Sequence, residues 1–322
     1  MGVRGLAPAA MTASPPVPSQ AEINSVFTIA LLAALADGNA DERERAHLRE
    51  VATRIGGDRI DLSVLDRAPG ARPSIAEAVR PLSTPEARRH AYEVAVAVAA
   101  ADGAHTPAEG AFLRDLASAL GLPAQSAQSF VAEADAIAAA PAAAVAGTVM
   151  PDAAALDKQV LDASITNAAL EILPETLASM AILPLQVRLV YRIGKAYGYE
   201  LDQGHIKEFI AALGVGLAGQ YLEQFGRKLL GGLLGSVLGG MGRAVGHQAA
   251  SSGMAFATTW ALGQVAKQYY GGGRTLDADK LKAAFAPLLA QGQALVDRYG
   301  GDIAQRARSI DVRNLPALIK GL

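Results

Sequence analysis

The stretch ADGNADERE (residues 36–44) has a counterpart 65 residues later, ADGAHTPAE (residues 101–109). Each copy follows an Ala-rich apolar segment and places a glutamate seven positions after the aspartate. More residues match at this offset: Leu48 with Leu113, Arg49 with Arg114, Ala52 with Ala117, Ile55 with Leu120, and Gly56 with Gly121. This internal repeat predicts two units, each made of an apolar helix, an Asp-Gly turn and an amphipathic helix.

The residues after each Asp-Gly pair are typical of a helix start. The glycine stands where a helix C-terminus favours the left-handed conformation. Asp41 and Thr106 are good N-cap residues, and Glu44 and Glu109 follow three positions later, which predicts two capping boxes. Pro107 falls on a first helical position, where its missing N–H costs nothing. Capping alone is therefore one explanation of the repeated glutamate.

The aspartates of the two turns need another explanation. A carboxylate at a helix C-terminus opposes the helix dipole, so Asp37 and Asp102 need backbone N–H groups, a basic side chain or a metal ion as partner. The spacing of the aspartate, the glycine and the later glutamate in each copy matches the second half of an EF-hand loop. The first and third positions of that loop would be Ala33 and Leu35 in one copy and Val98 and Ala100 in the other. None carries a side-chain oxygen, which excludes a calcium EF-hand.

With these paired turns, residues 21–137 resemble the TerB family of tellurite-resistance proteins, whose domain also occurs in DjlA-type co-chaperones. The resemblance implies a compact helical domain with an acidic patch that binds a divalent cation, calcium or magnesium. The positions that match the patch are Asp37, Asp41, Glu44, Asp102 and Glu109. Thr106 stands where the second copy would carry the counterpart of Asp41.

The amino-acid composition indicates the fold class and argues against several classes of function. Aromatic residues are 5% of the chain and no Val-, Ile- or Thr-rich alternation indicates a strand, so we predict an all-α fold. Residues 1–150 carry 12 Lys/Arg and 17 Asp/Glu, and residues 151–322 carry 17 and 14. This balance does not favour a nucleic-acid partner. The absence of cysteine excludes disulfides and thiol nucleophiles, and no nucleophile–base set indicates an enzyme.

The chain outside the TerB-like domain divides into four predicted parts. Residues 1–20 are predicted to be a disordered lead-in without a signal peptide, which favours the cytoplasm, at most peripheral to the inner membrane. Residues 138–158 are predicted to be an Ala/Pro-rich linker. Residues 159–273 include ILPLQVRLVYRIGKAYG (182–198), which resembles the GTPase-associated, YcjF-like domain of unknown function. Residues 274–322 are predicted to form amphipathic helices separated at Gly300–Gly301.

Residues 209–273 hold 16 of the 33 glycines. Small residues four positions apart line one helix face and allow close packing. The predicted packing positions are Gly231, Gly235, Gly239, Gly242, Gly246 and Gly253. Three alternatives follow: a buried helical hairpin of a soluble oligomer, an element inserted partly into a membrane, or a polytopic domain.

Two further motifs have both a functional and a purely structural interpretation. GVGLAG (214–219) has the glycines of a phosphate loop but follows a helical pattern, so it fails the context of a dinucleotide fingerprint. His105 is either a metal ligand or a solvent-exposed loop histidine.

The sequence predicts a non-enzymatic, stress-associated adaptor. Its acidic domain would bind a cation or partner, and its Gly-rich domain would associate with itself, a membrane lipid or a membrane protein. The alternative is a structural scaffold that forms a homo-oligomer and has no metal site.

Overall fold

The computed structural model describes residues 18–38, 42–56, 60–101, 103, 105–142, 152–213, 219–226 and 246–321, with backbone alone at 43–44, 56, 142, 203, 207, 211 and 246–252. All regular secondary structure within these residues is helical, which confirms the predicted all-α fold. Of the predicted lead-in, residues 1–17 lie outside the described residues, whereas Ser19 caps the first helix.

The helices of the N-terminal half form the two predicted repeats, with two short helices between them and a seventh helix after them. They are α1 Gln20–Ala34, α2 Glu42–Gly56, α3 Ser63–Asp66, α4 Ile75–Val79, α5 Pro85–Ala99, α6 Pro107–Ala119 and α7 Ala124–Ala139. Each Asp-Gly turn follows an apolar helix, α1 or α5, and precedes an amphipathic helix, α2 or α6. The predicted helix-turn-helix repeat is confirmed.

Helices α1 and α5 pack against each other at the centre of the N-terminal half. Their side chains are buried around most of the helix, because apolar residues occupy nearly every position in Ile29–Leu31 and Val94–Ala99. Helix α6 packs against both with one face, and α2 also buries one of its faces. The aligned residues Leu48 and Leu113 are each 1% exposed, so they occupy equivalent core positions in α2 and α6.

The C-terminal half begins inside the predicted linker. Its helices are α8 Ala153–Ile172, α9 Thr176–Met180, α10 Ile182–Ala196, α11 Gln203–Ala212, α12 (219–226), α13 Gly246–Gly271, α14 Ala278–Ser309 and α15 Leu315–Gly321. Helix α13 packs against α8, α10 and α14, so these four helices form a bundle. Buried amides of Asn167 and Gln186 both donate to the hydroxyl of Thr259, which joins α8, α10 and α13.

The predicted break at Gly300–Gly301 is wrong, because α14 continues through both glycines to Ser309. A glycine in a helix costs about 1 kcal/mol relative to alanine. Residues before and after the two glycines pack against the helix bundle, and this packing offsets the cost. The ring of Tyr299 stacks on Phe256, and Ile303 is 4% exposed.

The two halves share apolar packing. A Cβ at Gly226 of α12 would lie 2.8 Å from the Phe27 ring of α1. One continuous buried cluster includes residues of α1, α5, α10 and α13. The division into a TerB-like and a YcjF-like domain stays a prediction. Within the described residues, no helix is both long and apolar enough to cross a membrane.

Candidate functional site

The second Asp-Gly turn has the predicted cap. Gly103 has φ 143°, and its N–H donates to the Ala100 carbonyl. Glu109 accepts hydrogen bonds from the Thr106 N–H at 2.7 Å and hydroxyl at 2.9 Å, and its own N–H donates back to that hydroxyl. The predicted capping box is therefore confirmed here. Glu109 is only 6% exposed, so its carboxylate is committed to the helix start.

The first Asp-Gly turn shares the glycine conformation. Gly38 has φ 76°, and its N–H donates to the Leu35 carbonyl. Asp37 already interacts with another residue. Asp41 and the side chain of Glu44 lie outside the described residues, and so does Asp102 of the second copy.

No group of three or more His, Asp or Glu side chains within the described part of the chain is arranged to hold a metal ion. Of the five residues predicted to bind a cation, this part includes the side chains of Asp37 and Glu109 alone. The cation site stays a prediction.

The interpretation of His105 as a solvent-exposed loop histidine is wrong. Its side chain is 4% exposed. Its Nδ1 lies 2.6 Å from Asp135 Oδ1 on α7, and its Nε2 lies 3.2 Å from the Val96 carbonyl oxygen on α5. The His105 main-chain N–H also faces Asp135 Oδ1, at 3.3 Å. The ring thus fixes the second turn between α5 and α7. A metal ion could bind it only by displacing one of these contacts.

An open groove runs between α6 and α7 beside this turn. The α6–α7 groove has a volume of about 540 Å³, and its lining includes Gly110, Leu113, Arg114, Ala117, Ser118, Leu122, Ala124, Ala127, Gln128, Val131, Ala132, Asp135 and, from α5, Tyr92. Glycine and alanine supply much of the lining, and their small side chains leave the space between the helices open. This volume lies within the range of about 300–1,000 Å³ that is typical of ligand pockets.

The floor of the groove is apolar and fixed. Tyr92, Leu113 and Ala117 are each at most 6% exposed. Burial raises the pKa of Tyr92 to about 12, so its hydroxyl stays neutral at physiological pH. That hydroxyl lies 3.5 Å from the Ala127 carbonyl of α7. Tyr92 therefore contributes an uncharged surface that spans from α5 to α7.

The rim of the groove carries two charges with different surroundings. Asp135 pairs with His105. Arg114 is exposed and has no ion pair or hydrogen bond with any described residue. An acidic group that entered the groove would meet a guanidinium without a competing partner. Sequence reasoning missed this groove, since the space depends on how α6 and α7 pack.

Two more capping boxes were also missed. Ser19 and Glu22 cap α1, and Ser74 and Glu77 cap α4, each with the reciprocal hydrogen bonds. Glu22 also accepts from the hydroxyl of Ser83 at 2.7 Å. The Ser-x-x-Glu spacing was visible in the sequence and could have identified both helix starts.

The predicted packing glycines all lie in the Gly-rich tract of residues 209–273, of which the structure describes a part. Gly231, Gly235, Gly239 and Gly242 lie outside the described residues. Gly246 is the first residue of α13. A Cβ at Gly253 would lie 3.5 Å from Val296 of α14, so Gly253 faces a helix of the same chain. The role of these glycines at an oligomer or membrane interface stays a prediction.

Comparison with known protein families finds a match for part of the N-terminal half. Residues 9–134 match the model of a family described as "Protein of unknown function (DUF533)", a TerB-like family. The match covers less than half of the chain and does not reach the region predicted to be YcjF-like. Neither the curated proteins nor the solved structures give a match.

Proposed function

We propose that this chain is a non-enzymatic adaptor that holds an amphipathic helix of a partner protein in the α6–α7 groove. The apolar face of that helix would enter the groove, and an acidic residue beside that face would pair with Arg114. The C-terminal half would associate with another copy of the chain or with a membrane surface. The roles in tellurite resistance and stress rest on the family resemblance alone.

The shape of the groove is the observation that carries this proposal. An amphipathic helix commonly binds by laying its apolar face in a hydrophobic groove. The α6–α7 groove has room for several apolar side chains and a floor that α5 supports. A fixed floor lowers the conformational cost of binding, because fewer side chains need to be ordered.

The charge of the rim favours this occupant. Arg114 has no ion pair among the described residues, whereas Asp135 is held by His105. A carboxylate on the partner would therefore gain one ion pair without breaking another. A cation at the neighbouring acidic turn, if it binds, would lie next to His105 and would influence the same end of the groove.

Selection of helical peptides would test the groove. A library of amphipathic helices displayed on phage is panned against the full-length chain, and enriched peptides are titrated by fluorescence anisotropy. We expect enriched peptides to carry an apolar stripe flanked by Asp or Glu. Ala132→Trp should fill the groove from an exposed position and weaken binding about tenfold or more, as loss of a central contact does. Arg114→Glu should disfavour the acidic peptides.

The matched control for this test is Ala136→Trp. Ala136 is exposed on the same helix but does not line the groove, so its replacement should leave peptide affinity unchanged. Equal loss of binding in both variants would point to a nonspecific effect of tryptophan. If no peptide is enriched, or if Ala132→Trp binds as well as the wild type, the groove is not the docking site.

The C-terminal half is tested separately. The full-length chain is mixed with phosphatidylcholine vesicles, with and without phosphatidylglycerol, and floated after a high-salt wash. Insertion of apolar side chains survives the wash because it is not screened by salt, whereas attraction between charges is lost. Membrane association predicts that the protein floats after the wash.

The second candidate function is a structural scaffold. Close packing of glycines within the chain favours it: a Cβ at Gly263 would lie 2.6 Å from Val160. Gly263 therefore serves the close packing of α13 against α8, and such rigid packing within the chain suits a scaffold. Light scattering that finds a homo-oligomer, together with a groove that binds no peptide, would support the scaffold over the adaptor.

A further inference from the structure

A second cavity lies in the C-terminal half, far along the chain from the α6–α7 groove. The α8–α10 cleft has a volume of about 220 Å³ and lies between α8 and α10, with Gly321 of α15 at one end. Its polar lining residues are Gln159 and Asp162 from α8 and Arg192 from α10. None of these three side chains has a hydrogen bond or ion pair with the described residues.

The guanidinium of Arg192 is partly removed from water. Its side chain is half-buried, and burial lowers its pKa from the ordinary value. A guanidinium presents five N–H donors in a planar arrangement that suits a carboxylate. Because a half-buried charge without a partner is unfavourable, a bound anion would relieve that cost.

A neighbouring arginine makes the cleft more positive. Arg188 lies one turn before Arg192 on α10, and its guanidinium donates to the Pro141 carbonyl at 3.3 Å and the Lys320 carbonyl at 3.1 Å. Burial and the charge of Arg192 both lower the pKa of Arg188. Arg188 is thus occupied in joining α10 to α15, which leaves Arg192 to meet a ligand.

Asp162 lines the same cleft from the opposite helix. Asp162 and Arg192 do not form an ion pair with each other, so each can meet a different charge of one ligand. Between them, Ala163, Leu185 and Leu189 provide an apolar wall. We propose that the α8–α10 cleft binds a free α-amino acid with a small apolar side chain. Arg192 would bind its carboxylate, Asp162 its ammonium group, and the wall its side chain.

Calorimetry with three matched ligands tests this assignment on the full-length chain. L-Leucine carries both charges, 4-methylpentanoate lacks the ammonium group, and isopentylamine lacks the carboxylate. We expect saturable binding of leucine and binding of each analogue that is weaker by about tenfold or more, because each lacks one charged contact. Alanine, valine and methionine then rank the fit of the side chain.

Variants separate the two charged contacts. Arg192→Gln should abolish binding of leucine. Asp162→Asn should weaken leucine to the affinity of 4-methylpentanoate and leave the affinity of 4-methylpentanoate unchanged. Arg308→Gln, an exposed arginine of α14 outside the cleft, is the matched control and should bind leucine normally. Because Arg192 makes no hydrogen bond or ion pair with a described residue, Arg192→Gln should fold with an unchanged or higher Tm.

Two results would overturn the proposal. One is the absence of binding heat for all four amino acids at millimolar concentration. The other is equal affinity for leucine and 4-methylpentanoate with no effect of Asp162→Asn, which would make the cleft a general anion site. Neither result bears on peptide binding at the α6–α7 groove, because the two cavities share no lining residue.

Discussion

Three helices in the N-terminal half begin at capping boxes, whereas helices in the C-terminal half meet at glycines. Reciprocal boxes begin α1, α4 and α6. The long helices α8 and α14 instead begin at single aspartates, Asp152 and Asp277. In the bundle, a Cβ at Gly263 or Gly292 would lie under 3 Å from a facing helix. A capping box fixes where a helix begins, and a glycine contact fixes how closely two helices approach.

This difference predicts where each half is sensitive to mutation. Loss of a cap leaves backbone N–H groups unpaired at one helix end, a local cost of about 1 kcal/mol. An added methyl group at a close helix crossing pushes two whole helices apart, which costs about 1–3 kcal/mol. The C-terminal half should therefore suffer more from the smaller chemical change.

The largest effect is expected at Gly292 of α14. A Cβ there would lie 2.8 Å from the Ala257 Cα and 2.9 Å from its carbonyl oxygen, and backbone atoms cannot move aside as a side chain can. Gly292→Ala should lower the free energy of unfolding by about 1–3 kcal/mol. Urea denaturation followed by circular dichroism measures this change.

Gly300→Ala is the matched control in the same helix. No atom of the described residues lies within 4 Å of a Cβ at Gly300, so the substitution should stabilise the protein by up to about 1 kcal/mol through helix propensity. Opposite signs for the two alanine variants would sharpen the contrast between the halves. If Gly292→Ala is neutral, the crossing of α13 and α14 is not as close as described.

The next effect is expected at the cap of α6. Thr106→Ala removes the hydroxyl that binds the Glu109 N–H and also leaves the buried Glu109 carboxylate with one donor fewer, so it should cost about 1 kcal/mol. Thr84 caps α5 by accepting from the Ala87 N–H without a reciprocal glutamate. Thr84→Ala should therefore cost less in the same denaturation experiment. Equal losses would mean that the reciprocal bond to Glu109 adds nothing.

These contacts differ in how far the sequence predicts them. The box of Thr106 and Glu109 could be predicted because its residues lie three positions apart and interact within one helical turn. The position of His105 could not, since it depends on Asp135, which lies 30 residues later on a different helix. The break expected at Gly300–Gly301 failed for the same reason: local propensity disfavours a helix there, but packing against α13 is stronger. The two cavities likewise depend on helix crossings.

A smaller effect on stability is expected when the Glu22 carboxylate is protonated at acid pH. Hydrogen bonds from the Ser19 N–H and the Ser83 hydroxyl are the main causes that lower the pKa of Glu22 below its ordinary value of 4.5. The ionised carboxylate therefore stabilises the fold above pH 4.5, and this contribution is lost as the pH falls through the lowered pKa. Glu22→Gln should reduce the fall in Tm between neutral and acid pH.

Glu77→Gln is the control for that measurement. Glu77 caps α4 with the same box, and the hydrogen bonds from Ser74 lower its pKa, but within the described residues no hydrogen bond joins it to a second helix as Ser83 joins Glu22 to the start of α5. We expect Glu77→Gln to change the acid limb of the Tm profile less. A larger change at Glu77 would contradict the importance given to the Ser83 contact.

The smallest effect is expected from a divalent cation at the Asp-Gly turns. A ligand of the native state adds about 0.4 kcal/mol of stability when its concentration equals its dissociation constant. If calcium or magnesium binds, Tm should rise slightly at millimolar concentration, and Asp37→Asn should remove more of that rise than Asp102→Asn. The reason lies in the second turn, where Glu109 already accepts two hydrogen bonds from Thr106 and would have to give them up to bind a metal.

Asp115→Asn, at an exposed position of α6, is the control and should leave the cation-dependent rise in Tm intact. A Tm that neither cation changes would leave helix capping as the role of both turns, whereas a greater loss in Asp102→Asn would place the stronger site in the copy whose glutamate is already committed.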